Sequence, residues 1–89
     1  MAAKTELSVK LPGGPRYFVN SGRKKNGRDK GYCNRFWIST NDRDLPNTYF
    51  KKMISRTILN ELKRMPEVDA AMYCDKVYRA AYDEWVSKS

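Results

Sequence analysis

Histidine is absent from this 89-residue chain. That removes the usual general base at neutral pH and the commonest metal ligand. Cysteine is scarce. Cys33 and Cys74 lie far apart, match no CxxC or zinc spacing, and have no activating partner nearby in the sequence. Both read as small hydrophobes in a reducing compartment, without a disulfide. Asp42 and Asp44 stand two apart in a polar turn and could hold a divalent cation, but a capping role accounts for Asp44 without one. No Walker, Rossmann or nucleophile-elbow pattern occurs. These absences exclude the common catalytic classes, so the expectation is a binder rather than an enzyme, with no catalytic residue, cofactor or metal. Long apolar runs are missing too. The first residues lead into no apolar leader, and no run reaches membrane-spanning length, which points to a cytoplasmic protein with no membrane partner.

Acids are in deficit: ten Asp and Glu face eighteen Lys and Arg, a formal net charge of +8. The imbalance is segregated. Residues 1–40 carry nine cations against two acids, residues 41–66 six against three, and residues 67–89 three against five. Charge needed only for solubility has no reason to be divided in this way. Aromatic side chains make up 12 % of the chain, with six Tyr and two Trp, and such residues need somewhere to pack. One small folded domain spanning 1–89 is expected, with no linker and no internal repeat.

The most informative stretch is Gly22-Arg23-Lys24-Lys25-Asn26-Gly27-Arg28-Asp29-Lys30-Gly31, in which five of ten side chains are cationic. Asn-Gly tolerates the positive φ angles of a type I′ turn and is the strongest short-range hairpin signal. Pairing Lys25 with Arg28 sets Tyr17 opposite Phe36 and Val19 opposite Asn34. The result is a β-ribbon with a cationic tip and a base anchored in the core. The bland alternative is a solvated, glycine-rich loop.

Leu7, Val9 and Leu11 alternate with polar residues, as in a half-buried strand, and Pro12-Gly13-Gly14-Pro15 ends it. A second strand runs from Arg16 to about Asn20 and a third from about Tyr32 to Thr40. On the third, Phe36 and Ile38 share a face with Tyr32 and Asn34, while Arg35 and Trp37 point the other way. Trp37 is expected to pack under the helices, the alternative being exposure beside Arg35 as a contact residue. Asp44 then caps a helix with Pro46 in its first turn, and helical spacing runs from Tyr49 through Phe50, Met53, Ile54, Ile58, Leu62 and Met65. Lys52, Arg56 and Lys63 align in one stripe opposite that face, which is either a contact surface or an ordinary solvated one. Pro66 separates this helix from a second, whose apolar stripe is Ala70, Ala71, Cys74, Val77, Tyr78, Ala81, Tyr82 and Trp85. Met72 and Tyr73, on its other side, could form an interface. The expected architecture is α+β, a small three-stranded antiparallel sheet followed by two packed helices, β-β-β-α-α.

Function follows from charge. The leading expectation is a non-catalytic nucleic-acid-binding accessory protein. It would contact the phosphates of DNA or RNA through Arg23, Lys24, Lys25, Arg28 and Lys30 at the ribbon tip, Arg35 on the third strand, and Lys52, Arg56 and Lys63 on the helix. The alternative is a small protein-binding modulator or inhibitor that docks on a larger, nucleic-acid-processing enzyme, since Tyr, Trp and Arg also dominate protein interfaces. A homo-oligomer is compatible with either.

Overall fold

The computed structural model describes residues 4–25, 32–45 and 50–88, and all structural statements below concern these. Among them are four strands, β1 (Lys4–Lys10), β2 (Arg16–Lys25), β3 (Tyr32–Thr40) and β4 (Lys52–Ile54), followed by helices α1 (Arg56–Arg64) and α2 (Glu67–Ser87). The strands form one antiparallel sheet in the order β1-β2-β3-β4. The α+β class and the order of strands before helices are as the sequence predicts. The sheet has one strand more.

Pro12 and Pro15 end the β1 ladder, and the chain turns between them. The Gly14 amide donates to the Leu11 carbonyl at 2.8 Å and the Leu11 amide to the Pro15 carbonyl at 3.0 Å. Gly13 has φ +69, a conformation that side chains rarely adopt, so glycine is required at that point.

The ribbon differs in register from the expected one. Lys25 pairs with Tyr32 rather than Arg28, Tyr17 with Thr40 rather than Phe36, and Val19 with Ile38 rather than Asn34. The slip is four residues, an even number, so every side chain keeps its face. Its physical reason is the core: the observed register sets Val19 against Ile38, whereas the Asn26-Gly27 turn would have set it against a polar amide. That turn lies outside the described residues.

The helical reading of 50–55 is also corrected. Phe36 pairs with Ile54, Trp37 with Met53 and Ile38 with Lys52. Apolar spacing fitted a helix there, but β3 needs a partner for its second edge, and β4 supplies it. The helix starts later. Ser55 is its N-cap, its hydroxyl accepting from the Ile58 amide at 3.2 Å. The Asp44 amide donates to the Asp42 carboxylate at 2.9 Å in a tight turn, and the residues that an Asp44 cap would serve lie outside the described ones. Pro46 and Tyr49 lie outside the described residues. The stop at Pro66 stands, with Glu67 and Asp69 in the first turn of α2, where the helix dipole favours anions.

The core lies between one sheet face and the helices. It is built from Val9, Tyr17, Val19, Phe36 and Ile38 of the sheet, Leu59 and Leu62 of α1, and Ala70, Ala71, Cys74 and Tyr78 of α2. The alanines let α2 approach the strands closely, and Tyr17 meets Tyr78 edge-on at 5.9 Å. Trp85 is a correction. It is 39 % exposed and marks the outer end of an aromatic chain rather than the core. Trp37 is a second one: it lies half-buried on the sheet face turned away from the helices.

Candidate functional site

Where the ribbon leaves the core, α1 and the sheet diverge and open a groove of about 340 Å³. Lys4 of β1, Arg23 of β2, and Arg56 and Lys63 of α1 line it, with Glu6 its one carboxylate. Strand alternation explains Arg23. Ser21 faces Phe36 across the pair and Arg23 faces Asn34, so the helix-side face turns from apolar to polar just past the end of the core. Helical spacing explains the other wall, because Arg56 and Lys63 are two turns apart on one face of α1. The Arg56 guanidinium lies 5.0 Å from the centroid of the Phe36 ring, a contact that holds the cation over the apolar floor.

Glu6 reports the field in the groove. Its carboxyl is held below the usual range, first by the hydrogen bond that the Ser21 hydroxyl donates at 2.7 Å, against a burial penalty, and then by the charges of Lys4, Lys63 and Arg56. The Lys63 ammonium is 3.8 Å from it. One exposed ion pair at that distance adds little stability. Its significance is that four cations from three elements line a groove in which, among the described residues, Glu6 is the one anion.

The nine residues read from the sequence as a phosphate-binding set are thus divided. Arg23, Arg56 and Lys63 come together in the groove, joined by Lys4, which the sequence reading missed. Lys24 and Lys25 continue β2, their backbones paired with Cys33 and Tyr32. Arg28 and Lys30 lie outside the described residues. Arg35 stands opposite Gly22 on the other face of the sheet. Lys52 does not share a stripe with Arg56 and Lys63. It sits on β4 opposite Ile38, and its charge acts on Glu84 of α2. The signal that could have found Lys4 is β1 itself: a strand paired with β2 carries its first residue to the ribbon root.

The opposite end of the molecule is built differently. The Tyr17 hydroxyl donates to Asp75 at 2.5 Å, Arg79 donates to the same carboxylate at 2.8 Å, and Arg79 also reaches Asp42 at 2.6 Å. Burial alone would raise the Asp75 carboxyl, but the hydrogen bonds from Tyr17 and Arg79 and the charge of Arg79 outweigh it and hold it below its usual value of 3.8. Tyr17 moves the other way, raised above 10.0 first by burial and then by its bond to Asp75. The two shifts bound the pH range. Stability from Asp75 is present above about pH 4 and is lost as pH falls through its depressed value; stability from Tyr17 is present below about pH 10 and is lost as pH rises. An Asp75→Asn variant should therefore show a shallower acid limb in melting temperature against pH. An unchanged acid limb would remove Asp75 from the set of stabilising carboxylates.

Asp42 is committed to Arg79, and among the described residues no group of three or more His, Cys, Asp or Glu stands close enough to hold a metal ion. Cys74 is a free buried thiol, and burial pushes it up to about 11. That leaves it almost wholly protonated at neutral pH, a packing residue rather than a nucleophile. No helix is long and apolar enough to cross a membrane. No protein-family model, curated protein or solved structure matches the chain, so the site rests on its own geometry.

Proposed function

We propose that this chain is a non-catalytic nucleic-acid-binding accessory protein that holds a phosphate backbone at the root of its basic ribbon. The observation that supports it best is the groove between α1 and the sheet, which Lys4, Arg23, Arg56 and Lys63 line together with Glu6. A groove lined by one sign of charge focuses the field and concentrates a polyanion. Lys24, Lys25, Arg28 and Lys30 extend the positive charge along the ribbon sequence beyond the groove. Phosphates replace the single carboxylate and release the counterions of the nucleic acid, so the affinity falls steeply with salt. A cytoplasmic setting belongs to the same proposal.

A protein target is the second reading. Val68 and Met72, one turn apart on α2, are 45 % and 57 % exposed and face away from the core, a pair that a partner could cover. A pull-down from the native cell, run with and without nuclease, separates the two. Under the first reading the captured material is nucleic acid, and what comes with it is lost on nuclease treatment. Retention of one stoichiometric protein after nuclease would replace the first reading by the second.

A further inference from the structure

We propose that the bare face of the sheet is a stacking surface for the unpaired bases of a single strand, with Trp37 and Phe18 as its two rings. The inference rests on the nucleic-acid reading and names the form of its ligand. Both helices pack on one face of the sheet, and the other is covered by no described element. Alternation places Phe18, Asn20 and Gly22 of β2 on that bare face, with Ser39, Trp37 and Arg35 opposite them on β3. Phe18 and Trp37 are half-buried. They are diagonal neighbours across the strand pair, about 7–8 Å apart by ordinary sheet geometry, a spacing that suits two successive bases once they have unstacked.

The ground around the rings is prepared. The far edge of the Trp37 indole lies over Gly22, where even a methyl group would come within 3.0 and 3.3 Å of it, so the absence of a side chain there lets the ring lie against the strand. The Lys51 ammonium stands over the same ring, 4.7 Å from its centroid. That π face attracts positive charge, and a base taking it over releases the lysine to a phosphate. Asn20 is spent within the sheet, its amide donating to the Ser39 hydroxyl at 2.8 Å and its carbonyl accepting from Thr5 at 3.3 Å. What remains to meet a ligand is two rings, the exposed Met53 of β4 beside Trp37, and a set of cations.

Charge supports the choice of ligand. Arg16 lies on this face, reaching the Ser8 hydroxyl at 2.9 Å, and Arg35 and Lys51 flank Trp37. Glu6 is the only acid in the four strands, and it turns to Ser21 on the helix side. The bare face therefore offers rings among cations with no carboxylate from the strands. A duplex hides the flat faces of its bases, whereas a single strand exposes them, and stacking of this kind tolerates any sequence.

The test compares strands that share a backbone. Fluorescence anisotropy at about 50 mM salt would measure binding of an oligothymidylate and an oligouridylate of about twelve nucleotides, an abasic strand of equal length, and a duplex. The base-bearing strands should bind more tightly than the abasic strand and the duplex. In a Trp85→Phe background, where Trp37 is the one tryptophan left, they should quench its emission. Trp37→Ala should cost roughly 5- to 150-fold on the base-bearing strands, the loss of one stack, and leave the abasic strand unchanged. Trp37→Phe should restore most of that loss. Equal binding of abasic and base-bearing strands by the unaltered protein overturns the stacking surface while leaving phosphate binding in place, and this comparison needs no variant to fold. Tighter binding of the duplex likewise overturns the single-strand assignment. If none of the strands binds, the parent reading falls and the stacking surface falls with it.

Discussion

A chain carrying Arg23→Ser, Arg56→Ser and Lys63→Ser is expected to lose roughly 500- to 3,000-fold in affinity for nucleic acid at about 50 mM salt. Each phosphate contact contributes about 0.7 to the slope of log affinity against log salt on a single strand and about 0.9 on a duplex. Three lost contacts flatten the slope by about 2 and by nearly 3, respectively. Extrapolated from 1 M salt to 50 mM, those slopes give the stated range. Stability should move little, because all three side chains are exposed and surface substitutions usually change it by less than about 0.5 kcal/mol. The control removes equal charge elsewhere. Arg43, Lys76 and Lys88 are exposed and do not line the groove, so their replacement by Ser should lower affinity much less. Glu6 supplies the opposite arm. Glu6→Gln removes the anion that phosphate must displace, and it should raise affinity and steepen the slope. If the groove and control triples weaken binding equally, the effect is one of net charge and the groove is no site.

Much of the fold could be read from the chain, and where reading failed the cause was local. The alternation of β1, the Pro12–Pro15 stop, the facing of Phe36 and Ile38, and the break at Pro66 all stand. Each follows from steric rules or from a period that nearby residues repeat. The failures share a cause in nonlocal pairing. Asn26-Gly27 argued for a two-residue turn, but the register was set by Val19 meeting Ile38 in the core, a contact across the sheet that no short window reveals. Phe50, Met53, Ile54 and Ile58 fitted one face of a helix. The second edge of β3 took Lys52–Ile54 as a strand, and the helix shrank to its capped part behind Ser55. Local propensity was outvoted by a tertiary requirement in both cases.

The site was half-legible for the same reason. Arg56 and Lys63 lie on one helix, and their shared face survived the later helix start. Lys52 did not survive it, because a residue moved from helix to strand leaves its stripe. Arg23 was named for its place in a basic run, but its place in the groove depends on the observed pairing with Asn34. Phe18 was passed over between the core residues Tyr17 and Val19, although alternation alone turns it to the other face. For Trp37 the usual preference of tryptophan for the interior misled. The face it shares with Arg35 was correctly read, and the helices cover the opposite one.

Tyr78→Ala is expected to be the most damaging single substitution, at about 3–5 kcal/mol, whereas Trp85→Ala should cost about 1–2 kcal/mol. The two side chains belong to one aromatic chain that climbs from the core to the surface. Tyr78 is 2 % exposed, meeting Tyr17 at 5.9 Å, Phe50 at 5.2 Å and Tyr82 at 6.4 Å. Truncating it removes ring contacts to β2, to the segment before β4 and within α2 at once, and leaves a cavity where they meet. Trp85 touches Phe50 at 5.5 Å and Tyr82 at 6.0 Å, with water already on its outer side. Its loss removes ring contacts but leaves no sealed cavity. In a domain of this size 1 kcal/mol moves the melting temperature by about 4–8 °C, so Tyr78→Ala should fall by about 12–40 °C and Trp85→Ala by about 4–16 °C. Small domains hold only about 5–15 kcal/mol in total, and the first variant should accordingly show a measurable unfolded fraction at physiological temperature. Circular dichroism melts of both variants decide the matter. Equal losses would mean that Trp85 closes the core after all, and that the aromatic chain is anchored at its outer end.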